Sequence, residues 1–155
     1  MTSRPLLLAA VLSACWVPAS AADAPVPGLS AVFEAHETAL DAHDLAGVMK
    51  LYAPGETTVV MGTVPAERWV GSAQIEEAYR NFFADFDAGT LKRSCPWVSS
   101  DSSGDVGWLT ATCDYQDSLK GASRTFALNV SVVLQKLDGA WKLRTMHFSN
   151  PTTPE

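Results

Sequence analysis

Asp138-Gly139 sits between residues 125–137 and 140–149, two stretches in which apolar and polar residues alternate. That dipeptide suits the positive φ angles of a two-residue hairpin turn, so the chain is expected to reverse there. Once the turn is fixed, the register follows. Leu134 faces Leu143, Val132 faces Thr145, Val130 faces His147 and Leu128 faces Ser149. This set makes the apolar face, with Trp141 at its turn end, while Lys142, Arg144, Asn129, Ser131 and Gln135 make a solvated one. Pleat alternation alone therefore directs His147 toward the core or a pocket.

A second hairpin precedes it. Residues 91–100 and 106–116 read as strands joined by the polar run Asp101-Ser102-Ser103-Gly104-Asp105. Folding symmetrically about Gly104 sets Cys95 opposite Cys113, Trp97 opposite Ala111 and Ser99 opposite Leu109. Opposed β-carbons lie about 4.5–5.5 Å apart, near enough for a cross-strand disulfide in an oxidising compartment. The competing reading is two buried free thiols.

The first half is helical in pattern. Ser30 stands where a helix cap is useful, and Val32, Phe33, His36, Ala39, Leu40 and His43 recur at three- and four-residue spacing. Asp44 offers a second cap, followed by a shorter helix over residues 45–52 that stops at Pro54-Gly55. Residues 57–61 read as a strand, Trp69-Val70 as a brief one, and Ser72 as the cap of a third helix. That helix carries Ile75, Tyr79, Phe82, Phe83 and Phe86 as its stripe and stops at Ala88-Gly89. Helices followed by antiparallel strands predict an α+β domain with the helices on one face of a curved sheet.

The N-terminus is expected to be a separate object. Arg4 precedes an apolar run over residues 6–17, too short to span a bilayer, and Pro18 and Ala19-Ser20-Ala21 follow it. This reads as a signal peptide over 1–21, then a tether over 22–29, the domain over 30–151 and a tail over 152–155. The alternative is a lipoprotein anchored at Cys15, because Leu12-Ser13-Ala14-Cys15 resembles a lipobox. The protein is then periplasmic or secreted, and no other stretch is long enough for a membrane span. With a net charge of −6 and no basic cluster among 155 residues, nucleic acid is not an expected partner.

Several local sequences together resemble one family. Ala42-His43-Asp44-Leu45 with Leu51-Tyr52-Ala53 is similar to the opening helices of SnoaL-like and ketosteroid-isomerase-like domains. Trp69-Val70-Gly71 with Ile75 resembles the start of their third helix. The run from Asp138 to Leu143, ending in His147-Phe148-Ser149, resembles the closing hairpin of SnoaL-like domains. The resemblance implies the cone-shaped fold of the nuclear transport factor 2-like superfamily: a curved antiparallel sheet wrapped by about three helices around an apolar pocket, often as a homodimer.

Function does not follow from that fold. The acidic base and protonated acid of ketosteroid isomerases have no counterparts here. The base position falls near Val60 or Met61, the tyrosine position falls at His36, and residues 125–136 hold no acid. His36 and His147 are the remaining candidates for acid–base work, since imidazole titrates near neutral pH; the plainer reading makes them core histidines. Trp69, Trp97, Tyr115, Phe83 and Ser149 are candidate ligand contacts, with core filling as the alternative for the aromatic residues. Glu67 and Arg68 stand at the expected pocket rim. His43 could add a third imidazole, but no metal-binding spacing is present and no cofactor is implied. The expected partner is a small, mostly apolar molecule. A cyclase, isomerase or dehydratase using the histidines, and a non-catalytic dimerisation module, are the alternatives.

Overall fold

A computed structural model describes residues 25–151. The expected signal segment, its cleavage point after Ala21, the alternative anchor Cys15 and the tail over 152–155 lie outside the described residues. The element order is α1 (Pro27–Asp41), α2 (Leu45–Leu51), β1 (Val59–Met61), β2 (Arg68–Val70), α3 (Ser72–Asp85), β3 (Lys92–Ser103), β4 (Val106–Leu119), β5 (Ala122–Leu137) and β6 (Ala140–Ser149). The six strands form one sheet in the order β2-β1-β6-β5-β4-β3. Every pairing is antiparallel except β1 with β6, which is parallel. The α+β architecture expected from the sequence is the one observed, with that one parallel pair as a refinement.

Local chemistry sets the helix ends. Proline's fixed φ starts α1 at Pro27, one turn earlier than the Ser30 cap expected, and no side chain caps it. At the other end His43 adopts a left-handed conformation, φ 53°. Its N–H donates to the carbonyl of Leu40, and that of Asp44 donates to the carbonyl of Ala39. This pair of bonds closes a Schellman motif. Asp44 then caps α2, accepting from the Gly47 N–H at 2.9 Å. Gly71, at φ 80°, rather than the Ser72 hydroxyl, precedes α3.

One face of the long strands is buried under the helices. Leu109, Ala111, Cys113 and Tyr115 on β4 and Val130, Val132 and Leu134 on β5 meet Leu29 and Phe33 of α1 and Val48 of α2. Gly107 on β4 makes room for α1: a β-carbon there would stand 2.7 Å from the Leu29 side chain.

A bulge in β6 and a tighter β3–β4 turn change the expected register. The β5–β6 turn has positive φ at Asp138 (48°) and Gly139 (81°), and Leu134 does face Leu143. Beyond that pair Val133 faces Thr145, so Arg144 is an extra residue on β6. A one-residue bulge inverts the facing of everything past it. Met146 therefore takes the inward position opposite Val132, and His147 lies opposite Ser131 on the outer face.

The β3–β4 turn is tighter than expected, with Gly104-Asp105 between the Ser103–Val106 pair. Trp97 consequently pairs with Thr112, not Ala111, and stands 54% exposed on the outer face. A bulge between Ser94 and Trp97 restores the original alignment further along. Pro96 sits in it, where the edge strand needs no N–H donor. Cys95 and Cys113 therefore meet after all and form a disulfide, with Cα atoms 4.0 Å apart.

Candidate functional site

Polar residues stand among and beside the inward apolar stripe of α1: His36 and Glu37 are buried with Phe33, Ser30 is half-buried, and Glu34 lies exposed at its edge. His36 is fully buried and Glu37 nearly so. His36 Nδ1 lies 3.2 Å from Glu37 Oε1, and Nε2 lies 2.7 Å from the Tyr79 hydroxyl. The Tyr52 hydroxyl is 2.6 Å from that of Tyr79 and 3.6 Å from Met146 Sδ.

One proton assignment satisfies the whole string. Nδ1–H donates to the Glu37 carboxylate, which leaves Nε2 to accept from Tyr79 O–H, whose oxygen accepts from Tyr52 O–H. Burial raises the Tyr52 hydroxyl well above the ordinary phenol value, and the adjacent Tyr79 adds to the shift. Tyr79 is raised by burial too, the Tyr52 hydrogen bond opposing and the Glu37 charge reinforcing it. Both phenols are thus held neutral.

Glu37 connects this string to a second group. Its Oε2 has no hydrogen-bond partner and lies 3.9 Å from Arg93 Nε. Arg93 and Tyr115 are cross-strand partners on β3 and β4. The Tyr115 hydroxyl is buried without a partner, and its pKa is raised by burial first and by the Glu37 charge second. The Arg93 guanidinium stands 4.4 Å over the Phe33 ring, and its Nη2 donates to Glu34 Oε2 at 2.5 Å. Its Nη1 is buried and unpartnered, as is the Ser30 hydroxyl oxygen.

A cleft of about 440 Å³ opens beside these groups, between α1 and β3. Ser30, Phe33, Glu34 and Arg93 line it with Cys95, Val98, Leu109 and Pro25. Its wall mixes apolar side chains with the polar groups of Ser30, Glu34 and Arg93 in about equal measure. His36, by contrast, is 0% exposed.

The residues expected at a site are therefore dispersed. His36 lies in the buried string, whereas His147 is on the other face of the sheet, so the expected histidine pair does not form. Tyr115 faces inward near Glu37. Trp69 on β2 and Phe83 on α3 are half-buried and pack against the core. Trp97 faces outward, and Ser149 pairs with Asn129 at the end of β6. His43 stacks on Phe83 with ring centroids 4.5 Å apart. Glu67 holds its own loop, accepting from the Thr63 and Val64 N–H groups. Among the described residues no group of three His, Cys, Asp or Glu is placed to hold a metal ion.

Sequence reasoning did not single out Glu37, Tyr52, Tyr79 or Arg93. Tyr79 falls in the apolar stripe of α3, where spacing says nothing of its hydroxyl. Arg93 had a readable signal, because it stands two residues before Cys95 and so shares its face.

Comparison with known proteins supplies the family context. The profile of the SnoaL-like domain matches residues 29–153. No curated protein matches the chain. Among solved structures, a candidate calcium/calmodulin-dependent protein kinase II association domain from Xanthomonas campestris superposes with a TM-score of 0.72 at 21% identity, covering 86% of this chain and 92% of that one. A ketosteroid isomerase-like protein from Erwinia carotovora atroseptica gives 0.67 at 20% identity, over 82% and 96%. A candidate dehydratase of the NTF2-like family from Streptomyces avermitilis gives 0.69 at 16% identity, over 82% and 96%. At these identities the likeness is one of fold. Among the described residues no helix is long and apolar enough to cross a membrane.

Proposed function

The chain belongs to the SnoaL-like domain family, and on that premise we propose that it is an exported protein binding a small, mostly apolar molecule. The binding place in this reading is the cleft between α1 and β3, not the centre of the cone. The observation that carries it is the cleft itself: about 440 Å³ beside two buried polar groups without partners, Arg93 Nη1 and the Ser30 hydroxyl. Each unpaired buried group costs about 1–3 kcal/mol, and since both atoms are closed to solvent, a bound molecule removes that deficit by moving the groups that cover them. The interior is a poorer candidate because His36, Tyr79 and Tyr52 fill it with hydrogen bonds to one another and Met146 lies buried against the Tyr52 hydroxyl.

Export is part of the same proposal. It is supported by the apolar run and small-residue cleavage pattern at the N-terminus, and by a disulfide that an oxidising compartment preserves. Native mass spectrometry of protein purified from a periplasm tests both. The reading expects a start at Ala22 and a small-molecule adduct that Ser30→Trp, which fills the cleft, no longer retains. An adduct held equally by that variant contradicts the site.

A separate observation supports a homodimer through the outer face of the sheet. Trp108 and Val133 are cross-strand partners, 42% and 41% exposed, with Trp97 exposed further along. Thr110, Thr112, Asn129, Ser131 and His147 lie between and beside them on the outer face. The rows Trp108–Val133, Thr110–Ser131 and Thr112–Asn129 carry no charge, while Asp101 beside Trp108 on the edge strand and Asp114 beyond Thr112 flank them, so two copies of a −6 chain meet through an uncharged middle with acids at its margin. Light scattering after chromatography should give twice the chain mass, and Trp108→Glu should halve it. A wild type already monomeric at high concentration sinks this part.

A further inference from the structure

We propose that the molecule taken by the α1–β3 cleft carries a carboxylate, and that this carboxylate replaces Glu34 on Arg93. The inference rests on the binding reading above and adds the chemical class of the ligand.

Arg93 is the fixed partner. Its side chain is only 12% exposed, and its guanidinium is packed over Phe33. Arginine presents a planar fork of N–H donors that matches two carboxylate oxygens at once. One prong is occupied, Nη2 by Glu34, and Nη1 has no partner. Glu34 is the movable partner. Its side chain is 65% exposed and reaches across from the helical wall of the cleft. A largely solvated carboxylate holding an arginine gains little, because water competes for it and its rotamer freedom is lost.

The charges decide between displacement and addition. Arg93 faces two carboxylates, Glu34 and the buried Glu37, with one positive charge between them. An added anion would bring a third negative group to that single cation. An anion that takes the place of Glu34 leaves the count unchanged and moves Glu34 into water. The incoming group can also complete the fork at Nη1, and Ser30 on the adjoining wall supplies a free hydroxyl. Phe33, Val98 and Leu109 then receive the apolar remainder of the molecule.

Isothermal titration of hexanoate and its neutral isostere hexanamide tests this at fixed ionic strength. Wild-type protein should bind hexanoate about tenfold or more tightly than hexanamide, as a charge-assisted pair implies. Arg93→Met should erase that preference. Glu34→Gln, at an exposed position that does not threaten folding, should raise the preference for hexanoate over hexanamide about threefold or more above that of the wild type, because a charged competitor for Arg93 is removed. Equal binding of both probes to wild type overturns the carboxylate inference and leaves the cleft reading intact. A preference in Glu34→Gln no greater than that of the wild type overturns the displacement. Binding of neither probe to any form overturns both.

Discussion

Tyr79 is the central member of the buried string, and replacing it with phenylalanine removes one oxygen atom without opening a cavity. Two bonds are lost: its donation to His36 Nε2 at 2.7 Å and its acceptance from Tyr52 at 2.6 Å. Both former partners are buried, and an orphaned buried group costs about 1–3 kcal/mol. Part of the loss is recoverable. The Tyr52 hydroxyl already lies 3.4 Å from Nε2 and can swing its hydrogen there. A net cost of about 2 kcal/mol follows, or about 8 °C in Tm for a domain of this size. Tyr52→Phe makes the comparison. It removes one strong bond and leaves the Tyr79–His36 bond standing, so about 1 kcal/mol is expected. Urea denaturation monitored by circular dichroism measures both. The proton assignment is refuted if Tyr79→Phe costs no more than Tyr52→Phe.

Three further outcomes follow from the same structure. Reducing the Cys95–Cys113 bridge, whose ends are 18 residues apart, should cost about 3 kcal/mol by the loop-closure argument, read as a fall of about 12 °C in Tm with and without reductant. Gly107→Ala should destabilise by about 1–3 kcal/mol in urea, because its β-carbon meets a fully buried Leu29 that has no space to turn; a neutral result would show that α1 shifts freely. All three tyrosines are buried with raised pKa values. The folded state therefore binds phenolic protons more tightly than the unfolded one, so stability holds below the ordinary phenol value of about 10 and falls as pH rises past it. Absorbance at 295 nm should appear together with unfolding; gradual ionisation of the native protein would contradict the burial.

The architecture was legible in the sequence because its signals are local and mutually consistent. Asp138-Gly139 announced its turn, apolar spacing marked α1 and α3, and the Asp44 cap with the Pro54-Gly55 stop marked α2. The Lys120-Gly121 turn between β4 and β5, with φ values of 50° and 81°, has the same form but a less distinctive sequence, and it passed unread. The bulges were not legible. Nothing in the sequence around Arg144 declares an extra residue, yet that single residue carries His147 from the inner face to the outer one. The same limit moved Trp97 outward, while the compensating bulge at Pro96 returned the cysteines to alignment. A pleat argument is reliable only as far as the next bulge.

The site was harder to read for a related reason. Periodicity puts His36 on the inner stripe of α1, but its partners come from the residue that ends α2 and from α3, at separations of 16 and 43 residues. Periodicity assigns a face to each element without saying which residues of two elements meet. Glu37 and Arg93 likewise meet across a helix and a strand, and their charges suggested surface positions that packing overrode.

The central claim is that ligands enter between α1 and β3. Amide chemical-shift mapping of the ¹⁵N-labelled protein during hexanoate addition tests it most directly. The account predicts saturable shifts at Ser30, Phe33, Arg93 and Val98, with the amides of Tyr52, Tyr79 and Met146 nearly still. Shifts concentrated at those interior residues, or on the outer face at Thr110 and Ser131 with the cleft silent, would contradict it.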